Sequence, residues 1–304
     1  MKSKLGKLLA FVAATAVISL PSCSGDGNNN NNNNKQDSTK TEESFAEVQE
    51  ESNFYLIPSP EDLFAFTKDK NLQYDASFLN PIENIDKYGD NRSQELNFGT
   101  YTADMAYSAA FGKYQESLKE FKVVRELSDK INIGSVFTQN LVDRIESVVE
   151  DRDSLKEISS DIYYDIEKFL DSKQRSKTMA LISTGGWIEF LYIVTNSIEK
   201  FDANNETIQR IADQKIILDN LMLRLEQIQD DMSVKQTISD LKPLKEVFDG
   251  LKVESVQSQS SKTSNGSIKV GGGMKIIITE NDFNKIKETI ASVRNNITCN
   301  DVSK

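Results

Sequence analysis

The stretch MALISTGGWIEFLYIVT, residues 179–195, contains one charged side chain, Glu189. A helix that is apolar on all sides is buried in the core of a large protein or in a membrane. This run is too short and too polar for a membrane-spanning helix, which needs about 20 apolar residues. We therefore predict a buried core helix, in which Gly185 and Gly186 let a neighbouring helix approach and Trp187 fills space beside them.

A second isolated acid, Asp104, lies in LNFGTYTADMAYSAAFG, residues 96–112. On a helix it shares one face with Tyr101 and with several other polar side chains. If the two helices meet, Asp104, Glu189, Tyr101 and Trp187 would line a polar ligand pocket. Buried acids take raised pKa values unless they are paired, and such acids are candidates for ligand contact or acid–base chemistry. The alternative is that each acid is held by a Lys, Arg or hydroxyl of a neighbouring helix, or faces solvent through a gap.

Helical signals continue on both sides of these segments. An Asn or Ser followed by Pro and an acid, as in Asn80-Pro81-Ile82-Glu83, is a helix start signal. The pattern predicts helices over 59–66, 93–131 with a break near Gly112, 135–149, 153–170, 173–200, 205–229 and 233–248. Short connections between them favour antiparallel neighbours.

The pattern changes after residue 250. The β-branched run 276–278 follows three glycines, so we predict one small hairpin that pairs it with a segment near Val253. Thr279 then caps a last helix, with Asp282 at the third helical position and a hydrophobic staple before it. The fold predicted is all-α, an irregular multi-helix bundle with one small β-hairpin near the C-terminus.

The amino terminus has the three-part layout of an export signal. Three lysines precede thirteen uncharged residues, 8–20, and the run ends at Leu20-Pro21-Ser22-Cys23. This motif resembles the bacterial lipobox, with Pro21 as a mild departure from the usual small or aliphatic residue. The resemblance implies that residues 1–22 are removed and that Cys23 carries acyl chains such as palmitate. The alternative is an ordinary secretory signal with a chance cysteine.

The following segment, 23–53, includes seven consecutive asparagines and few large apolar side chains. Such a composition cannot bury enough surface to fold, so it predicts a tether. Asp37-Ser38-Thr39 resembles the Asp-Ser/Thr-X glycosylation acceptor of Bacteroidetes, which makes Ser38 a candidate modification site. The body is predicted as a bundle over 54–250, with a hairpin-like segment and C-terminal helix over 251–304 packed on it.

Composition excludes several kinds of chemistry. The chain has no histidine, which removes histidine-based triads and most catalytic zinc sites. With Cys23 lipidated, Cys299 would be the one remaining cysteine and no disulfide could form. A net charge of −11 disfavours nucleic-acid binding. We expect no catalytic residues, no cofactor and no metal site.

Three stretches resemble helical lipoproteins of Bacteroidetes bacteria: YLIPSPEDLFAF, NFGTYTADMAYSAAFGKYQ and GGWIEFLYI. The resemblance implies an outer-membrane location and an α-helical body, facing either the periplasm or the exterior, and supplies no catalytic residues. The sequence therefore predicts a lipid-anchored envelope protein that is not an enzyme. The membrane, through the lipid, and another envelope protein are its expected partners. The alternative is a protein that binds a sugar or peptide near Asp104 and Glu189, and a carboxylate enzyme ranks third.

Overall fold

The computed structural model describes residues 72–147, 152–262 and 268–299. Within these ranges the prediction of an all-α bundle with a small C-terminal hairpin is confirmed. The α-helices are α1 (Asn91–Ala110), α2 (Tyr114–Lys130), α3 (Gln139–Ser147), α4 (Arg152–Ser172), α5 (Ser176–Asn196), α6 (Glu206–Glu226), α7 (Met232–Asp249) and α8 (Glu280–Thr298). The antiparallel strands are β1 (Lys252–Lys262) and β2 (Ile268–Ile277), and 3-10 helices form at Ala76–Phe78, Ile82–Lys87 and Gly134–Val136.

Several predicted features lie outside the described residues. They are the export signal over 1–22, the tether over 23–53 with Cys23 and Ser38, and the short helix over 59–66. These features therefore remain predictions from the sequence.

Helix α1 begins at a capping box and ends at the predicted break near Gly112. Asp90 caps α1 by accepting a hydrogen bond from the Ser93 backbone N–H at 3.0 Å, and the Ser93 side chain bonds back to the Asp90 backbone. The reciprocal bonds form a capping box, which satisfies two backbone donors at the helix start. The chain turns at Gly112, whose φ of +68° lies in the left-handed region that glycine adopts without steric cost.

The start signal at Asn80-Pro81 has a different outcome from the one predicted. A 3-10 helix over Ile82–Lys87 forms there, and its start has no side-chain cap. The Asn80 side chain instead accepts a hydrogen bond from Asn84 Nδ2 at 2.7 Å and donates to the Tyr88 hydroxyl at 2.9 Å. The Asn80 side chain therefore bonds to Asn84 and Tyr88 of the same segment instead of capping the helix start.

Helices α1 and α5 lie at the centre of the bundle and contribute to two apolar cores. One core is completed by side chains of α2, α3 and α4, and the other by side chains of α6, α7 and α8. Helix α5 extends beyond the predicted run at both ends and, contrary to the expectation above, is long and apolar enough to cross a membrane by length and composition; 89% of its apolar window is, however, buried inside the body. It is the buried core helix that its composition predicts.

Glycines bring the backbones of α1 and α5 into direct contact. A Cβ atom added to Gly185 would lie 1.8 Å from the Leu96 carbonyl oxygen, and one added to Gly99 would lie 2.0 Å from the Ile182 carbonyl oxygen. The predicted close approach at Gly185 is thus confirmed. Because Asp104 and Glu189 follow these glycines by about one helical turn, the same crossing draws both acids into the interface.

The C-terminal region follows the predicted order. Val253 pairs with Ile276 in the antiparallel register, and the Gln209 side chain of α6 donates to the Ile276 carbonyl at 3.0 Å. Thr279 and Asp282 form the expected capping box at the start of α8. Helix α8 then packs against α5, α7 and α1, so it completes the core around the central pair.

Candidate functional site

The structure brings Asp104 of α1 and Glu189 of α5 together. Both side chains have no exposed surface, and their carboxyl groups lie within hydrogen-bonding reach of each other. This is the pairing of helices on which the predicted pocket depended. The surroundings of the two acids decide what the pair can do.

Glu189 forms a buried ion pair with Arg294 of α8. Arg294 Nε donates to Glu189 Oε2 and Nη2 donates to Oε1, each at 2.8 Å. Two parallel charge-assisted bonds of this kind are the strongest arrangement for an arginine and a carboxylate. The guanidinium also donates to the Phe78 carbonyl at 3.0 Å and lies 4.4 Å from the centre of the Tyr192 ring.

The ionisation of this pair follows from its bonds. Burial raises the pKa of Glu189, and the charge and hydrogen bonds of Arg294 oppose that shift. Burial alone would lower the pKa of Arg294, but Glu189 raises it. Since Glu189 accepts both guanidinium bonds, it is the acid in this region that keeps its negative charge.

Asp104 forms no ion pair with any cation in the described part of the chain. Its Oδ2 accepts the Asn80 backbone N–H at 3.0 Å, and its buried Oδ1 has no donor among the described residues. Burial raises the pKa of Asp104 well above the usual value, and the negative charges of Glu189 and Glu120 add to the shift.

Glu120 of α2 is the third acid of the cluster. Burial, followed by the charge of Glu189, raises the pKa of Glu120 to about 8. Its Oε2 is also buried without a donor in the described part of the chain. We refer to Asp104, Glu120, Glu189 and Arg294 as the acid cluster, which holds three acids and one cation.

A set of neutral polar side chains surrounds the acid cluster. Tyr88 donates to the Thr298 carbonyl at 3.1 Å, and Asn97 donates to the Ile297 carbonyl at 2.7 Å. Burial raises the pKa of Tyr88 to about 12, so its hydroxyl stays a donor at every physiological pH. These bonds satisfy backbone groups at the end of α8 that have no partner within the helix.

The other two predicted pocket residues lie apart from each other. Tyr101 is fully buried and donates its hydroxyl to the Pro81 carbonyl at 2.8 Å. Trp187 belongs to the opposite apolar core, where its indole N–H donates to Gln214 at 2.9 Å. Of the four residues, Asp104 and Glu189 meet directly, Tyr101 lies in the same polar region, and Trp187 does not join it.

Sequence reasoning missed Arg294, Glu120 and Glu95. Glu95 is buried at the same α1–α5 interface, where it accepts a hydrogen bond from Thr178 at 2.7 Å and lies 3.9 Å from Arg175. Arg294 lies four residues after the buried Ile290, and Glu120 lies among the buried positions of α2. A charged residue at apolar helical spacing was the available signal, because such a position points into the core.

The predicted pocket residues are closed to solvent. All four predicted pocket residues are at most 1% exposed, so a ligand could reach them only after a neighbouring segment moved. A cavity of about 20 Å³ lies between α1, α2, α3 and α4, next to Met105, Ser117 and Phe121. That volume suits a single water molecule. No group of His, Cys, Asp or Glu side chains suited to a metal ion is present in the described ranges.

The fold and the acid cluster together define an all-α bundle whose apolar interior contains one buried group of acids and an arginine. Comparisons of the chain with protein-family models, with curated proteins and with solved structures found no match. The geometry therefore carries the functional argument. The acids of the site bond to one another, to an arginine and to backbone groups, and they are not accessible to solvent.

Proposed function

We propose that this protein is a lipid-anchored cell-envelope protein whose helical body is a non-catalytic module that binds or scaffolds another envelope component. The lipobox-like motif at Cys23 and the Asn-rich segment after it support the anchor and the tether. One structural observation carries the non-catalytic part: the acids best suited to chemistry are fully buried and occupied with internal partners. An outer-membrane location is part of the proposal.

Binding of a sugar or peptide near Asp104 and Glu189 receives less support. Asp104 is bonded to the Asn80 backbone and Glu189 to Arg294, so a ligand would have to replace these bonds as well as enter the core. Leaving Arg294 or Glu189 without its partner would add the desolvation penalty of a buried charge. A partner that binds on the surface of the body would leave these buried bonds in place.

Cys23→Ser is expected to move the protein from the membrane fraction to the soluble fraction. Each acyl chain contributes about 0.8 kcal/mol per buried methylene group, on the order of 10 kcal/mol for a palmitoyl chain, and the substitution removes the sulfur that carries it. The measurements are cell fractionation and incorporation of labelled palmitate. Cys299→Ser is the matched control, because Cys299 is a free, exposed cysteine at the end of α8 and should leave both readouts unchanged.

The two parts of the proposal have separate tests. A Cys23→Ser protein that stays in the membrane fraction would contradict the lipid anchor. Crosslinking in intact cells followed by affinity purification tests the scaffold, with the expected result that one envelope protein is recovered reproducibly with the wild type. Recovery of no protein above the level of an untagged strain would contradict that role.

A further inference from the structure

Residues 72–90, which we call the N-terminal strap, are fastened to the bundle by side chains rather than by a sheet or a long helix. Tyr107 accepts the Asp75 backbone N–H at 3.0 Å, Tyr101 donates to the Pro81 carbonyl at 2.8 Å, and Arg294 donates to the Phe78 carbonyl at 3.0 Å. Buried backbone groups need such partners, so these bonds determine whether the strap stays in place.

One of the strap's bonds ends on the acid cluster. The Asn80 backbone N–H donates to Asp104 Oδ2 at 3.0 Å, and both residues are buried. The strap's 3-10 helix over Ile82–Lys87 packs against α2, the helix that carries Glu120. The strap is thus bonded to Asp104 and packs on the helix that carries Glu120.

The charges inside the cluster do not balance if every acid is ionised. Asp104, Glu120 and Glu189 would carry three negative charges against the single positive charge of Arg294. Two uncompensated charges in a closed core cost far more than the protonation of two carboxylates. The charge of Lys119 lowers the pKa of Glu120, but the Lys119 side chain is 57% exposed and therefore largely screened, and the negative charge of Glu83 acts in the opposite direction.

A buried carboxyl oxygen without a hydrogen-bond partner indicates where one proton lies. An ionised carboxylate accepts hydrogen bonds only, whereas a carboxylic acid also donates one. Asp104 Oδ1 is buried without a donor, and the carboxyl group of Glu189 lies within hydrogen-bonding reach. A proton on Asp104 turns two repelling carboxylates into a donor and an acceptor.

We propose that Asp104 is a neutral carboxylic acid at neutral pH, that it donates a hydrogen bond to Glu189, and that loss of this proton at rising pH loosens the N-terminal strap from the bundle. The charged groups that act on Asp104 are Glu189 from α5, Glu120 from α2 and Arg294 from α8. Two tyrosines, Tyr101 of α1 and Tyr74 of the strap, are also close enough for the charge of Asp104 to raise their pKa values, and the Asn80 backbone of the strap donates to Asp104.

The direction of the pH effect follows from linkage. The pKa of Asp104 is raised in the folded state, so its contribution to stability is fully present below the unfolded value of about 4 and is lost as the pH rises through the folded value. Between those two values, opening of the strap releases one proton. The equilibrium constant for opening then increases about tenfold for each pH unit.

Infrared spectroscopy of the full-length protein tests the proton directly. The wild type at pH 7 is expected to show a carboxylic-acid C=O stretching band, and Asp104→Asn should remove a component of it. Glu120→Gln is the matched variant and should remove a different component, because the raised pKa of Glu120, about 8, also keeps that acid neutral. A band that is the same in wild type and Asp104→Asn would overturn the proposal.

Hydrogen exchange of the strap amides tests the consequence. With rates corrected for the intrinsic effect of pH, wild-type exchange over 73–88 should rise about tenfold or more per unit from pH 5 to 7. Asp104→Asn retains a donor toward Glu189 and an acceptor for Asn80. In this variant one proton fewer is released on opening, so the corrected exchange rate should rise tenfold less per pH unit than in the wild type. In the double variant with Glu120→Gln the corrected rate should not change with pH. Amides of α6 are the internal reference. A wild-type strap whose corrected exchange does not change with pH would overturn the coupling between the proton and the strap.

Discussion

Gly185→Ala is expected to destabilise the protein by about 3 kcal/mol or more. The added methyl group would lie 1.8 Å from the Leu96 carbonyl oxygen, and the obstacle is backbone that cannot rotate away. Overpacking of a core usually costs about 1–3 kcal/mol, and here relief requires that α1 and α5 move apart. Urea unfolding followed by the fluorescence of Trp187, the single tryptophan of the chain, measures the change.

Gly186→Ala is the matched control for this prediction. A Cβ atom there would lie 3.4 Å from the nearest atom, the Gly99 carbonyl oxygen, which is an ordinary contact. Since alanine favours a helix over glycine by about 1 kcal/mol, this variant should be as stable as the wild type or slightly more stable. Equal unfolding midpoints for Gly185→Ala and the wild type would contradict the close backbone crossing.

Arg294→Met is expected to cost about 3–5 kcal/mol of unfolding free energy. The guanidinium is the one cation of the acid cluster, and its loss leaves Glu189 buried beside Asp104 without a charge partner. Breaking a buried ion pair on one side is costly because the remaining charge has lost its water and gained no substitute. Urea unfolding at pH 7 gives the value.

Two further variants separate the charge effect from lost packing. Arg144→Met removes an arginine from an ion pair with Asp161 in which both side chains are at least 42% exposed, so it should cost less than about 1 kcal/mol. Combining Arg294→Met with Glu189→Gln removes the stranded charge and should recover part of the lost stability. If the double variant were as unstable as Arg294→Met alone, the charge account of the cluster would be wrong.

Much of the fold could be predicted from local signals. The composition of 179–195 indicated a core helix, Gly112 marked the end of α1, and the Thr279 capping box marked the start of α8. These features depend on helical period, backbone freedom and contacts within four residues along the chain. These signals lie within short stretches of the sequence, so they could be recognised without knowledge of the tertiary contacts.

The acid cluster could be predicted in part. Isolated charges in apolar stretches identified Asp104 and Glu189, but the sequence left open whether they line a pocket, bond to a neighbouring helix or face solvent. The partner of Glu189 was out of reach, because Arg294 lies 105 residues further along the chain and helical period does not say which faces meet. The bond from the Asn80 backbone N–H to Asp104 shows the same limit, since 24 residues separate the two in the chain.

By itself, the sequence determined that most of the described chain is helical, where several helices begin and end, and which acids are isolated among apolar neighbours. Only the tertiary structure decided that Asp104, Glu120 and Glu189 lie near one another and that Arg294 pairs with Glu189. The physical reason is that local propensity acts over a few residues, whereas the charge balance of a core depends on which distant helices pack together.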